Sequence, residues 1–206
     1  VSHGPESMER STTYRPNATG TFTNLLSSGG GAAAHTEIDD NPTVDTADYL
    51  KPAANGLATV CTVQVDSAAA SGRIFSVTVN VWFNDGGTSM TVYPTLEIGG
   101  NTYYADPWSA SASGLDRAES YTWLTNPATG LEWTAAEVAL LDSTGAVGVA
   151  WNNSSTLQKV YMIEAPVKSG TDNRVAIGSV AVTALGWVTI PHATPGGTDT
   201  WATSAA

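Results

Sequence analysis

One stretch, residues 73–83, constrains the fold of this chain more than any other. Apolar side chains occupy every second position along it, at Phe75, Val77, Val79, Val81 and Phe83. Ser76, Thr78 and Asn80 lie between them. Because only a β-strand places alternate residues on one face, the pattern predicts a half-buried strand. The Asn84-Asp85-Gly86-Gly87 run that follows favours a tight hairpin, since Asn and Gly adopt positive φ at low cost.

The return strand of this hairpin is predicted after residue 89. Its inward residues are Met90, Val92, Leu96 and Ile98. Pro94 has no amide donor, so we expect this strand to lie at a sheet edge or to carry a bulge there. A Gly99-Gly100-Asn101 turn then leads into another short strand at residues 102–104.

Further short strands are predicted along most of the remaining chain, at residues 57–65, 121–125, 146–151, 157–165 and 174–190. Short strands at this spacing, joined by antiparallel turns, are typical of an all-β fold. We therefore predict an antiparallel β-sandwich of jelly-roll type. One short helix is expected near residues 134–142.

The start of that helix is well marked. Thr134 and Glu137 have the spacing of a capping box, in which each side chain binds the other residue's backbone amide. Trp133 precedes the cap and Val138 follows it by four residues, which predicts a hydrophobic staple. Gly145 follows the expected helix end.

Residues 1–36 show no sustained period. Pro5, Pro16 and the Ser/Gly/Ala-rich run at residues 27–34 predict an extended N-terminal arm. Four apolar residues in it are expected to anchor the arm on a partner protein: Tyr14, Phe22, Leu25 and Leu26. The predicted organisation is this arm, a β-sandwich domain at 37–165, and a C-terminal β segment and tail at 166–206.

Charge excludes several kinds of partner. The 206 residues include 8 Lys plus Arg against 19 Asp plus Glu, a formal net charge of −11. We therefore expect no nucleic-acid partner, which would need a basic stripe, and no anionic membrane surface. No apolar run approaches the length of a membrane span, and residues 1–30 do not resemble a signal peptide. The single cysteine, Cys61, is expected to be a small core residue.

No catalytic constellation is recognisable in the chain. Nucleophile-elbow, zinc-protease, P-loop and paired C-x-x-C motifs do not occur in it. The three histidines are scattered at His3, His35 and His192. The carboxylates Asp106, Asp116 and Glu119 have no recognisable acid–base spacing. We assign no catalytic residue, cofactor or metal site, and expect no hydrolase activity.

Two interpretations are open for an acidic cluster before the first core strand, which comprises Glu37, Asp39, Asp40, Asp45 and Asp48. Its oxygens have the chemistry of calcium ligands, although the spacing does not match an EF-hand loop. The alternative is a solvated entry to the sandwich in which Asp and Asn shape turns.

Two interpretations are also open for five aromatic residues close together in sequence, Tyr103, Tyr104, Trp108, Tyr121 and Trp123. Exposed aromatic faces stack on sugar rings, which would indicate glycan binding. Large aromatic residues also fill sandwich cores and protein–protein interfaces.

Several motifs occur in an order that is familiar from one family. They are DTADYL at 45–50, RIFSV at 73–77, YPTLEIGGNTYY at 93–104, SY at 120–121 and NPATGLEWT at 126–134. In this order they resemble the β-sandwich module of virion structural proteins of tailed bacteriophages, in which an N-P-x-T-G-x-x-W-T turn and helix recur. The resemblance spans roughly residues 37–165.

The resemblance implies architecture and transfers no catalytic residue. Its structural residues here are Asn126, Pro127, Gly130, Trp133, Thr134 and Glu137. It implies a non-enzymatic virion protein made in the host cytoplasm, which decorates or cements the outside of the head. The expected partners are the major capsid protein, other virion proteins or further copies of this chain. The alternative is a glycan-binding adhesin module of a tail or head fibre.

Overall fold

Strand pairing in the computed structural model is antiparallel throughout the residues that the structure describes. These are 9–28, 34–39, 43–110, 112–152, 154–170, 181–182, 187–191 and 198–202. The first twelve strands are β1 (Arg10–Tyr14), β2 (Pro16–Thr23), β3 (Leu25–Ser27), β4 (Leu50–Pro52), β5 (Thr59–Val65), β6 (Arg73–Asn84), β7 (Met90–Ile98), β8 (Asn101–Tyr104), β9 (Trp108–Ala110), β10 (Asp116–Trp123), β11 (Ala146–Asn152) and β12 (Lys159–Gly170).

These strands form two six-stranded sheets. Sheet 1 has the order β10-β6-β12-β4-β3, with β1 also paired to β12. Sheet 2 has the order β2-β5-β11-β7-β8, with β9 also paired to β7. The inward residues of both sheets form one hydrophobic core. The predicted antiparallel β-sandwich is confirmed.

The predicted alternation in β6 holds from Val77 to Phe83, whose inward side chains are at most 1% exposed. It fails at Phe75, which is only half-buried, while its neighbours Ile74 and Ser76 are buried. The register between β6 and β12 shifts between Lys168 and Ser169, opposite Phe75. An extra residue in a bulge reverses the alternation, so Phe75 does not share the face of Val77.

The predicted β6–β7 hairpin does not form. Strand β6 pairs with β10 and β12 in sheet 1, whereas β7 pairs with β11, β8 and β9 in sheet 2. The Asn84–Gly87 turn therefore carries the chain from one sheet to the other, and the apolar residues of the two strands meet across the core.

Strand β7 buries Met90, Val92, Leu96 and Ile98 as predicted. It is not an edge strand, because it lies between β11 and the pair β8 and β9. Pro94 is tolerated there for a different reason. The carbonyl of Pro94 accepts a hydrogen bond from the Ala105 amide at 2.9 Å, so its nitrogen faces the gap between the end of β8 and the start of β9. No ladder hydrogen bond is required from that nitrogen.

The N-terminal segment is extended, but it is not a separate arm. Strand β1 pairs with β12 in sheet 1, β2 pairs with β5 in sheet 2, and β3 pairs with β4 back in sheet 1. The chain changes sheets at Arg15 and again at Asn24, whose φ is +58°. The Asn24 side chain donates to the carbonyl oxygen of Ala58 at 2.8 Å. The segment therefore closes one side of the sandwich.

The structure corrects the prediction of a free arm and shows where its four apolar residues lie. Tyr14, Phe22 and Leu25 are partly buried and pack against the protein's own core, whereas Leu26 is 50% exposed. A segment poor in apolar residues does not order itself, but here the free edges of β12, β5 and β4 supply its hydrogen-bond partners. Gly20 allows β2 to lie close to β5, since a Cβ at this position would lie 2.6 Å from the Thr62 hydroxyl oxygen.

The predicted domain boundary after residue 165 is also corrected, because β12 continues to Gly170. The chain divides instead into a unit ending at Thr171 and a second unit, Asp172–Ala206. The described part of the second unit is an antiparallel sheet with the order β13 (Ala181–Val182), β14 (Trp187–Pro191) and β15 (Thr198–Ala202).

A buried carboxylate, Asp85, holds the β6–β7 turn. It is 0% exposed. Its Oδ1 accepts from the amides of Gly87 at 2.9 Å and Gly114 at 2.7 Å, and its Oδ2 accepts from the Ser113 hydroxyl at 2.9 Å. Burial by itself would raise the pKa of this carboxyl, but the hydrogen bonds from Gly114, Gly87 and Ser113 favour the charged form and leave the pKa below its ordinary value.

We expect Phe22→Ala to lower the free energy of unfolding by about 2–3 kcal/mol, because the ring is partly buried against the core. The matched change in the same segment, Leu26→Ala, should cost less than about 1 kcal/mol, since that side chain is half exposed. Urea denaturation of both variants measures the difference. Equal, small effects would mean that the segment behaves as a free arm.

We expect Asp85 to contribute a pH-dependent part of stability. Its folded-state pKa lies below the unfolded value, so its contribution is present above about pH 4 and is lost as the pH falls through the folded pKa. Asp85→Asn should be less stable by about 1–3 kcal/mol at pH 7 and should lose less stability between about pH 4 and pH 2 than the parent. Asp106→Asn, at an exposed site, is the control. Identical acid profiles for the parent and Asp85→Asn would contradict this role.

Candidate functional site

The turn that begins at Asn126 connects β10 of sheet 1 to the helix. Asn126 is 1% exposed, and its Oδ1 accepts from the Ala128 amide at 2.8 Å. Its backbone amide donates to the carbonyl oxygen of Leu131, and its carbonyl oxygen accepts from the Gly130 amide at 2.8 Å. Gly130 has a φ of +72°, the left-handed conformation that glycine adopts most readily. Pro127 follows Asn126 with its φ restricted by the ring.

The predicted capping box is confirmed. The Thr134 hydroxyl accepts from the Glu137 amide at 3.2 Å, and the Glu137 carboxylate accepts from the Thr134 amide at 2.8 Å. The helix α1 (Ala135–Ala139) continues as a 3₁₀ turn, Leu140–Asp142. Trp133 and Val138 are both buried, at 3% and 0% exposure. The Trp133 indole donates to the Trp123 carbonyl oxygen at 3.1 Å, which ties the helix to the last residue of β10.

The acidic cluster does not converge in the described residues. Glu37 is buried at 5% exposure, where its carboxylate is hydrogen-bonded to the Ser28 hydroxyl. Asp45 accepts from the Ala47 amide at 2.8 Å, a local turn contact, and Asp48 is exposed. Asp40 lies outside the described residues. Within the described part of the chain, no group of three His, Cys, Asp or Glu residues could hold a metal ion.

The described residues also do not bring the histidines and the cysteine together in one site. His35 lies 3.2 Å from the Thr19 hydroxyl oxygen through its Nδ1, while His3 and His192 are outside the described residues. Cys61 is a fully buried core residue as predicted, and burial raises the pKa of its thiol. No helix in the described ranges is long and apolar enough to cross a membrane.

The five clustered aromatic residues divide between the two sheets. Tyr103, Tyr104 and Trp108 lie on β8 and β9 of sheet 2, and Tyr121 and Trp123 lie on β10 of sheet 1. Trp123 is buried, and Tyr103, Trp108 and Tyr121 pack partly against the core. Only Tyr104 among the five is largely exposed, at 57%. The sequence cluster is therefore not one aromatic surface.

Tyr104 instead forms a cleft with residues from three other strands on the outer face of sheet 2. Ala150 of β11 pairs with Val60 of β5 on one side and with Tyr93 of β7 on the other. Because directly opposed residues share a face, these three form one row across the sheet. Ala150, in the middle of the row, has the smallest side chain of the three and leaves a depression between Val60 and Tyr93. We call this depression the Tyr93–Tyr104 cleft.

The cleft has a volume of about 290 Å³. Its full lining is Ala58, Thr59, Val60, Tyr93, Tyr104, Ala150, Trp151 and Asn152. The rings of Tyr93 and Tyr104 meet edge to face, with centroids 6.3 Å apart and planes at 76°. Asn152 follows Ala150 by two residues on the same strand and is exposed. The cleft thus has a small apolar floor, an aromatic wall and an amide at its rim.

Sequence reasoning missed Tyr93, Val60, Ala150 and Asn152. A signal for Tyr93 was present, since Gly99 and Gly100 form a two-residue hairpin that pairs Ile98 with Asn101. That register places Tyr104 opposite Thr95, one diagonal step from Tyr93. The other three residues come from strands distant in sequence, and no local pattern identifies them as neighbours.

Comparisons with known proteins found weak structural similarity and no sequence match. The sequence matches no protein-family model and no curated protein. One solved structure to which it is similar is the CBM35 from Cellvibrio japonicus Abf62, at 12% identity, with 79% of this chain and 99% of that chain covered and a TM-score of 0.35. A likeness at this level carries no argument about function.

We expect Trp133→Ala to lower the free energy of unfolding by about 3–5 kcal/mol, because it removes a buried ring and its hydrogen bond to β10. Leu131→Ala in the same turn is the control and should cost less than about 1 kcal/mol, since Leu131 is 69% exposed. Chemical denaturation followed by circular dichroism measures both. A small effect at Trp133 would show that the helix is not held by this ring.

Proposed function

We propose that this chain is a non-enzymatic structural protein on the exterior of a tailed-bacteriophage virion, and that it decorates or cements the head shell. The observation that carries the proposal is the Asn126–Glu137 turn and helix. Its residues match the motif of the resembled virion module, and the structure joins them in one hydrogen-bonded unit between β10 and β11. The proposed partners are the major capsid protein and further copies of this chain.

The residues available to attach such a protein to a shell differ from those that the sequence predicted. Tyr14, Phe22 and Leu25 pack partly against the sandwich core, which leaves less of their surface for a neighbour. The four most exposed large apolar side chains of the described residues are all leucines in loops. Leu124 and Leu131 lie in the segment between β10 and α1, at 71% and 69% exposure. Leu115 and Leu157 lie in the loops preceding β10 and β12, at 67% and 61%.

The charge of the chain supports an outward position. A net charge of −11 would be repelled by packaged nucleic acid. Two of the cations are also paired with carboxylates, since Arg15 contacts Glu164 at 2.7 Å and Arg73 contacts Glu132 at 2.7 Å.

Immunogold electron microscopy tests the position on the particle. Antibody fragments raised against the whole chain are applied to purified particles of the virus that encodes it, and the number of copies per particle is measured by quantitative mass spectrometry. We expect label over the head surface and hundreds of copies. Label restricted to the tail, with a handful of copies, would refute head decoration, and particles without the chain would refute a virion role altogether.

A second candidate function is binding of a host-surface glycan by an adhesin module. The Tyr93–Tyr104 cleft favours it, because an exposed tyrosine beside a shallow apolar floor can receive the apolar face of a sugar ring. Glycan binding and a place on the virion surface are compatible. The first concerns a ligand site and the second concerns where the protein is held.

A further inference from the structure

We propose that the Tyr93–Tyr104 cleft is a subsite for one neutral sugar ring. This inference rests on the second candidate function, glycan binding, and names its site and ligand class. It replaces the sequence-based grouping of five aromatic residues, of which only Tyr104 lines the cleft.

The lining has two kinds of chemistry, which match the two kinds of surface on a sugar. A pyranose ring has an apolar face of C–H groups and a rim of hydroxyls. Val60, Ala150 and the two tyrosine rings supply apolar contacts. The exposed Asn152 amide, with two donors and one acceptor oxygen, and the tyrosine hydroxyls supply hydrogen bonds for the rim. The Tyr93 ring packs perpendicular to the Tyr104 ring and limits the rotation of the exposed Tyr104 side chain. Less side-chain conformational entropy is therefore lost when a ligand binds.

The size of the cleft limits the occupant to a small group. Its volume of about 290 Å³ lies at the lower end of the range for small-molecule pockets. A proline-rich peptide, which also docks on aromatic side chains, needs a groove that follows several residues of an extended helix. The cleft has one aromatic wall and one floor, which suits a single ring better than a peptide.

Charge limits the occupant to a neutral group. None of the lining residues is charged. An anionic sugar would therefore find no cationic partner in the lining and would be opposed by the net charge of −11. A cationic ligand would find no carboxylate in the lining to replace its hydration.

The test is amide chemical-shift mapping on the full-length, isotope-labelled protein. The probes are the methyl glycosides of glucose, galactose, mannose and N-acetylglucosamine, with N-acetylneuraminic acid and a ten-residue proline-rich peptide as comparators. We expect at least one neutral glycoside to shift the amides of Val60, Tyr93, Tyr104, Ala150 and Asn152, with a dissociation constant in the millimolar range for so small a ligand. The comparators should leave those amides unchanged.

Two variants remove the site in different ways. Tyr104→Ala removes the exposed wall and should weaken binding about tenfold or more. Ala150→Leu keeps both tyrosines but fills the floor, and should abolish binding. Tyr121→Ala is the matched control, because Tyr121 also lies on a strand in edge-to-face contact with an aromatic neighbour, at 4.6 Å, but on sheet 1. It should bind as the parent does. The spectra themselves show whether each variant is folded.

The outcomes separate this inference from the proposed function. A glycoside that shifts amides elsewhere, with Tyr104→Ala unaffected, would overturn the cleft as the site and leave glycan binding standing. Shifts of the cleft amides by the proline-rich peptide alone would overturn the sugar assignment. If no glycoside shifts any amide and a glycan array of bacterial surface polysaccharides is also blank, both the subsite and the adhesin function fail. The virion proposal is tested independently by the position of the gold label.

Discussion

Burial of alternate residues along β6 is the constraint on which the other elements depend. Val77, Val79 and Val81 can face the core only in one register with β10 and β12, because a slip of one residue would turn all three to the outer face. The bulge at Phe75 shows how strict this requirement is. Strand β6 accommodates the extra residue near its start, and the alternation of buried and less buried residues continues without a break from Val77 to Phe83.

The same kind of constraint in sheet 2 creates the candidate ligand site. Val147, Val149 and Trp151 of β11 face the core, so Gly148 and Ala150, which alternate with them, face outward. Ala150 is thereby placed between Val60 and Tyr93, and the short Gly99-Gly100 hairpin brings Tyr104 beside Tyr93. The cleft is a consequence of packing on the opposite face of the sheet. Its position should therefore be as rigid as the core strands that carry it.

The N-terminal strands link the two sheets in a way that bears on both proposals. β1 and β3 belong to sheet 1 and β2 to sheet 2, and the Arg15–Glu164 ion pair lies at the crossing between β1 and β2. Because Tyr14, Phe22 and Leu25 pack against the core, we expect contact with a shell to come from exposed apolar side chains elsewhere. The most exposed of these are the four leucines in the loops preceding β10, α1 and β12, and Leu26, Tyr104 and Leu140 are 46–57% exposed.

How much of this could be read from the sequence depends on how far apart the interacting residues lie. The Gly99-Gly100 turn between β7 and β8, the capping box of Thr134 and Glu137, and the Asn126 turn were predictable because their partners are within a few residues and local backbone preferences decide them. The pairing of β6 with β7 was predicted on the same grounds and was wrong, because the Asn84–Gly87 turn links the two sheets. The sandwich class followed from the alternation of apolar residues alone.

Three features were not predictable from the sequence: the order of strands, the packing of Tyr14, Phe22 and Leu25 against the core, and the tolerance of Pro94 inside sheet 2. Each depends on which strand lies alongside, and that is decided by the joint packing of residues that are far apart in the chain. The cleft belongs to the same group, since Val60, Tyr93 and Ala150 become neighbours only when β5, β11 and β7 pair.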